Sequence, residues 1–316
     1  MPNSKTADDP RKDQEIALSS DNLTLYVSPW GASLRGLVAD GTTEIISRYI
    51  GASRKTGGQG DVLIPFPGRI RDGKYSFQGT DYQLEKTDSE GPNAIHGFLR
   101  KRPWAIKEQS EVTATFEIDL TASDAPGYPF PLHTEVTYEV EPQGITVSFR
   151  ITNTGTTDAP VGAGFHPYFT LGTAIIDDLA LTVPFESTLE YESLLPTGVA
   201  APNKEQRYDF TQEKIIGATS FNTCYLNPIR DENGNVAITL RTSDAYKSLS
   251  VILGPEFNYV VLYSGDVLPE SHRRKALAIE PMTCGSDAFN HPNWGLVTVK
   301  PGETLSGKWS LVYRAT

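Results

Sequence analysis

Short runs in which apolar and polar residues alternate recur along the chain, as in Leu23-Thr24-Leu25-Tyr26-Val27, Tyr75-Ser76-Phe77 and Thr113-Ala114-Thr115-Phe116-Glu117-Ile118. A period of two puts every second side chain on one face, so each run predicts a strand that turns one face to a core. The clearest pair is His133 to Val140 and Ile145 to Thr152, joined by Glu141-Pro142-Gln143-Gly144, a four-residue turn whose Pro and Gly favour chain reversal. Near the end, Leu296 to Val299 and Gly307 to Ala315 flank Lys300-Pro301-Gly302-Glu303 and predict a further strand, turn and strand. No window of 12 or more residues carries a 3.6-residue period, and the stretches Gly51 to Gly60 and Ser193 to Gln206 read as loops. Helix content should therefore be low. With no internal repeat and no Ser- or Pro-rich linker, the economical reading is one all-β domain over 15–316, a large antiparallel β-sandwich, preceded by a flexible tail over 1–14.

Composition supports that reading and narrows the partners. Gly 27 plus Pro 22 makes 49 of 316 residues, the mix expected of many turns between short strands. Lys+Arg 28 against Asp+Glu 39 leaves a net charge of −11, which argues against a nucleic-acid binder, since such a protein needs a basic patch to neutralise phosphates. Two cysteines, Cys224 and Cys284, are too few for a disulfide framework or a Cys-rich zinc site and fit a reducing, cytoplasmic compartment. The first residues lack the apolar core of a secretory signal, and no segment reaches the roughly 18 apolar residues of a spanning helix, so no membrane role is expected.

Two of the five histidines sit in contexts shaped for a site: Asn93-Ala94-Ile95-His96-Gly97 and Gly164-Phe165-His166-Pro167-Tyr168-Phe169. Glycine beside the ring removes steric cover, and Pro167 stiffens the chain after His166. A lone carboxylate, Glu280, ends the apolar run Leu277-Ala278-Ile279 before Pro281; burial there would raise its pKa. A Glu with histidines suits paired proton transfer, because the two residue types prefer different protonation states near neutral pH. The same set could also bind zinc. In Pro65-Phe66-Pro67-Gly68-Arg69-Ile70-Arg71, two arginines at i and i+2 point the same way on an extended segment, and either could hydrogen-bond sugar hydroxyls or balance nearby acids. His133, His272 and His291 read as surface or structural. No P-loop, GxGxxG, GxSxG or HExxH motif is present.

With these residues in hand, the sequence resembles the aldose 1-epimerase (galactose mutarotase) family. Four segments carry the likeness, in the family's order: PFPGRIRDGKYSFQGTDYQL, NAIHGFLRKRPW, GAGFHPYF and AIEPMTCGSDAFN. The resemblance implies a sugar cleft on one sheet, no metal or organic cofactor, and action on free aldohexoses as a monomer or homodimer. It also implies Glu280 as general base, His166 as general acid, and His96 and Arg69 as sugar-binding residues. Two positions depart from the family pattern: Gly68 stands where an Asn usually precedes the arginine, and Asn222 where an Asp usually binds a sugar hydroxyl. Asn keeps hydrogen-bonding capacity but loses the charge. Alternatives within reach are a hexose-phosphate epimerase, which would gather Arg69, Arg71, Arg100, Lys101 and Arg102 on a phosphate, and a non-catalytic sugar-binding module.

Overall fold

The computed structural model describes residues 9–203 and 206–315. Among them there is no α-helix, and three short 3-10 turns are outnumbered by strands. Two large antiparallel sheets dominate. One, of nine strands, runs Ala105–Gln109, Thr113–Leu120, Leu132–Glu141, Gly144–Asn153, Thr304–Ala315, Lys247–Leu253, Val236–Arg241, Ala180–Thr182 and Lys214–Ile215. The other, of twelve, has as its main path Ile16–Ser20, Leu23–Ser28, Ser33–Ala39, Thr43–Ile46, Tyr168–Phe169, Leu277–Met282, Tyr259–Tyr263, Asn222–Pro228, Phe185–Glu192 and Leu195–Pro202.

The alternating runs become strands for the reason the pattern gives. Leu23, Leu25 and Val27 from one sheet and Val136, Tyr138, Val147 and Phe149 from the other are buried in one continuous apolar cluster. Burying each such side chain is worth about 1.5–3 kcal/mol. The Tyr138 hydroxyl bridges the layers by donating to the Ala32 carbonyl at 2.6 Å, so the single polar atom of that ring is satisfied.

Two expectations need correction. The hairpin turn has two residues, Pro142 and Gln143, because Glu141 and Gly144 still pair in register. Within Ser193 to Gln206, read as a loop, Leu195–Pro202 is a strand. It lies at the end of the sheet, paired on one side only with Phe185–Glu192. An edge position tolerates Pro196, Gly198 and Pro202, which argue against a central strand. Of the expected tail, residues 1–8 lie outside the described residues, whereas over 9–14 the chain makes contacts: Asp9 pairs with Arg11 at 2.6 Å and the Gln14 carbonyl accepts from Ser28 at 2.8 Å.

The central strands of the larger sheet are what position a site. In Leu277–Met282, Leu277 and Ile279 face the inter-sheet core, as do Val260, Leu262 and Tyr225 on its neighbours. Alternation sends Ala278, Glu280 and Met282 to the opposite face, with Tyr259, Val261 and Tyr263, and Asn222, Cys224 and Leu226. That second face has its own small apolar cluster, comprising Leu189, Cys224, Leu226, Tyr259, Met282, Cys284, Ala288 and Trp294. Glu280 is thus set among apolar side chains, away from the main core.

Candidate active site

Strand register brings His166 to Glu280. Gly164 pairs with Met282 and Tyr168 with Ala278, so the residue between them, His166, falls opposite Glu280 and on the same face. The ladder is interrupted there, since Pro167 has no N–H and the His166 N–H turns instead to the Asp61 carbonyl at 3.0 Å. Across the gap His166 Nε2 lies 3.3 Å from Glu280 Oε1. Both are buried, at 5% and 4% exposure. The Tyr168 ring stacks on one side of the imidazole, with centroids 5.1 Å apart. Gly58 packs against the imidazole from a separate loop; a Cβ there would stand 3.0 Å from His166 Cδ2. The glycine that matters to this ring is therefore distant in sequence.

His96 lies beside the pair, its ring 5.7 Å from that of His166. It adopts φ 61°, a left-handed conformation unusual for a non-glycine residue and one that neighbours must hold in place. Gly68 does so from both sides: the His96 N–H donates to the Gly68 carbonyl at 2.9 Å, and the Gly68 N–H donates to His96 Nδ1 at 3.2 Å. An accepting Nδ1 leaves Nε2 as the N–H donor of a neutral ring. Gly68 itself has φ 65°, and a Cβ on it would stand 2.7 Å from Ser286. The departure from Asn at this position is thus built into the local packing.

The segment after Glu280 fixes Arg69. Ser286 Oγ accepts the Arg69 N–H at 2.9 Å, the Asp287 N–H donates to the Arg69 carbonyl at 2.7 Å, and Asp287 Oδ1 accepts the Arg71 N–H at 3.0 Å. The Arg69 guanidinium binds Asp88 through Nε at 2.7 Å and Glu90 through Nη2 at 2.6 Å. Arg71 does not share its direction, because the chain leaves the strand at Ile70 and enters a 3-10 turn. Its Nε lies 3.7 Å from Asp287, with the side chain half exposed.

Asn222 begins its strand, exposed and paired with Tyr263. Two residues on, Cys224 pairs with Val261, which pairs with Glu280. Asn222 therefore shares the face of Glu280, two strands across and one pleat along, roughly 12 Å away by standard spacings.

Burial sets the electrostatics. It pushes Glu280 up to about 8, with the Arg69 charge working against the rise. It pulls His166 down to about 4, opposed by the Asp61 carboxylate and reinforced by Arg100 and Lys55. Asp61 is itself buried, paired with Lys55 and, at 3.2 Å, with Arg100. His96 is held well below its ordinary value by burial and by the neighbouring charges of His166, Arg100 and Arg69. The free site thus favours one proton on Glu280 and two neutral imidazoles. Such a site can take a proton at one oxygen of a ligand and deliver one at another. Among the described residues, the metal-ligating group whose donor atoms all lie within 4.8 Å of one another is Glu117, His133 and Glu135, on the nine-stranded sheet and not here.

Several site residues escaped the sequence reading. Tyr263, on the strand next to that of Glu280 and on the same face, is raised by burial first and then by Glu90, Asp266 and Glu280. Asp61 and Ser286 are brought in by pairings between segments over 100 residues apart. Tyr168 stood inside a quoted motif, but nothing local signals that its ring covers His166.

An all-strand sandwich that buries a carboxylate against an imidazole on one sheet suits proton transfer. The chain belongs to the aldose 1-epimerase family: the sequence profile described as "Aldose 1-epimerase" matches residues 14–311. It is 35% identical over 234 residues, 73% of this chain and 71% of the relative, to the Escherichia coli (strain K12) "Uncharacterized protein YihR". It is 26% identical over 322 residues to the galactose mutarotase of Sus scrofa, covering 92% of this chain and 91% of that one. The fold is similar to that of the GalM/aldose epimerase homologue from C. elegans, with a TM-score of 0.84 and 18% identity, covering 96% and 99% of the two chains. Like its family, the protein is an isomerase of the mutarotase type.

Proposed function

We propose that the protein interconverts the α and β anomers of free aldohexoses such as glucose and galactose. In this reading Glu280 removes the C1 hydroxyl proton while His166 protonates the ring oxygen, opening the ring to the aldehyde. Rotation about C1–C2 exposes the other face of the carbonyl. Closure returns the proton from Glu280 to the new C1 hydroxyl oxygen, and His166 recovers its own from the ring oxygen. No atom or electron is left over, so one positioned acid and one positioned base suffice. His96, as an Nε2–H donor, and Arg69 orient the hydroxyls, and Asn222 offers an amide to one of them.

The observation that carries the reading is the buried 3.3 Å contact between His166 and Glu280. Between them the two groups hold one proton across neutral pH, and that is the proton count the reaction requires. In the free site it rests on Glu280; passage across the contact to His166 gives the ion pair that starts ring opening, and sugar hydroxyls stabilise that pair by solvating it.

The cations support an uncharged sugar. Arg69 is engaged by Asp88 and Glu90, Arg100 by Asp61 at 3.2 Å and Arg102 by Asp124 at 2.6 Å, while Arg71 lies 3.7 Å from Asp287. Lys101 is lowered mainly by the adjacent Arg100 charge. A phosphate would have to displace carboxylates to recruit these four arginines. Polarimetry or NMR on freshly dissolved α-glucose and α-galactose tests the proposal. Acceleration by catalytic amounts of protein, without competition from hexose 6-phosphate, is expected. Equilibration at the spontaneous rate for both sugars would overturn it.

A further inference from the structure

The larger sheet ends in a hairpin, Phe185–Glu192 and Leu195–Pro202, that reaches the candidate site. Ser187 pairs with Leu226 and Thr188 with Tyr225. The strand runs on through Leu189 and Tyr191, which alternation puts on one face. Leu189 is buried in the small apolar cluster of that face, and Tyr191 packs against the same cluster. Ser286, whose Oγ accepts the Arg69 N–H at 2.9 Å, is among the groups that act on the Tyr191 phenol. That phenol is held well above its ordinary range by burial first, then by Cys224 and Glu280, with Arg69 opposing. The Tyr191 phenol thus feels Glu280, Arg69 and Ser286 together, from a strand that meets theirs through the small apolar cluster.

The hairpin is lightly fastened beyond Leu189. The pairing register shifts between Leu189 and Tyr191, a break of the kind that redirects a side chain. At the tip Leu194 rests on Gly91, where a Cβ would stand 3.3 Å from its Cδ1. Arg71 Nη2 reaches the Pro196 carbonyl at 3.5 Å. Most of the outer strand is exposed. Glu280 and His166, by contrast, are almost fully buried.

The geometry points to Tyr191 as a specificity-determining residue: carried over the cleft by the edge hairpin, its hydroxyl hydrogen-bonds an aldose hydroxyl remote from C1. The inference rests on the aldose reading of the same site. Glu280 and His166 occupy the row that handles C1 and the ring oxygen. Asn222 and Tyr263 lie one pleat along, and Tyr191 lies farther across the same face, on the side where hydroxyls remote from C1 would fall. A phenol there donates to or accepts from a hydroxyl according to its configuration, so it distinguishes epimers without taking part in proton transfer.

The test compares the Glu280→Gln protein with the Glu280→Gln, Tyr191→Phe double variant by calorimetric titration of glucose, galactose, mannose and xylose, alongside mutarotation kinetics of the wild type and Tyr191→Phe. Loss of one neutral hydrogen bond predicts affinity lowered about 3- to 10-fold for some of these sugars and unchanged for others, with kcat falling less than about threefold. A purely structural tyrosine would lower the melting temperature and weaken all four sugars alike. Affinities within about 1.5-fold of one another for every sugar, or a uniform loss, would overturn the inference. Binding without mutarotation by the wild type would overturn the epimerase proposal while still judging Tyr191. Failure of every aldose to bind the wild type or Glu280→Gln would overturn both.

Discussion

The molecule contains two His–Glu contacts of the same length: His133 Nε2 to Glu135 Oε1 and His166 Nε2 to Glu280 Oε1, both 3.3 Å. They behave in opposite ways. His133 stands on the open face of the nine-stranded sheet with its side chain 30% exposed. Burial works to lower it, but hydrogen bonds to Asp119 and Glu135 and the charges around them outweigh burial and raise it. Glu135 is lowered, chiefly by its bond to Lys107. There water and extra charges stabilise the ionised pair. At Glu280 and His166 the same two groups are buried, and the loss of water outweighs the charges around them and shifts both towards neutrality. Contact distance therefore says little about protonation; the surroundings decide it.

The comparison is broken most severely by removing the base. Glu280→Gln keeps the shape of the side chain but cannot accept the C1 proton, so kcat should fall by about 10²-fold or more while sugar binding largely survives. A kcat within about threefold of wild type would remove Glu280 from its role.

The pH profile tests whether the buried pair works as one unit. The active state holds a single proton between Glu280 and His166. Activity should fall below about pH 4, as His166 also takes a proton and ion-pair formation no longer frees the base. It should fall again above about pH 8, as Glu280 gives up the shared proton and no acid is left. Each limb should approach tenfold per pH unit. A profile with a single limb near pH 6.5, the position of an ordinary histidine, would contradict the burial argument.

A smaller effect is expected from Asn222→Asp, which restores a charge at the exposed end of the same face. A charge-assisted hydrogen bond exceeds a neutral one by about 1–2 kcal/mol at most, so KM for at least one aldohexose should fall by up to about tenfold. Unchanged kinetics on glucose, galactose and xylose would place Asn222 outside the cleft.

The mildest change is His133→Ala. Because the folded protein raises the His133 pKa, its contribution to stability is fully present below the unfolded value of 6.5 and is lost as pH rises through the folded value. Chemical denaturation should show the variant destabilised at pH 5 by no more than about 1 kcal/mol, as for exposed ion pairs, and nearly matched to wild type at pH 9. Mutarotation should not change.

Much of this was legible in the sequence. The alternating runs gave real strands, and His96, His166 and Glu280 stood out because each breaks the pattern around it with a glycine or proline. What local patterning could not supply was registration between remote segments. The Gly164–Met282 and Tyr168–Ala278 pairings put His166 against Glu280, and no window of residues encodes them. Ser286, Asp61 and Tyr191 reach the site by the same kind of long-range pairing. The direction of Arg71 is not encoded locally, because the chain turns at Ile70, and Leu195–Pro202 looks like a loop by its prolines and glycine when burial is not known.

Those prolines have a further consequence, for solubility. The end of a twelve-stranded sheet offers a row of free backbone groups on which a second chain could template itself. Pro196 and Pro202 have no N–H to offer, and the shifted register beside Gly198 spoils the regular spacing that an incoming strand would need. The sheet can thus stop growing at a strand left mostly open to water, without presenting a continuous adhesive edge.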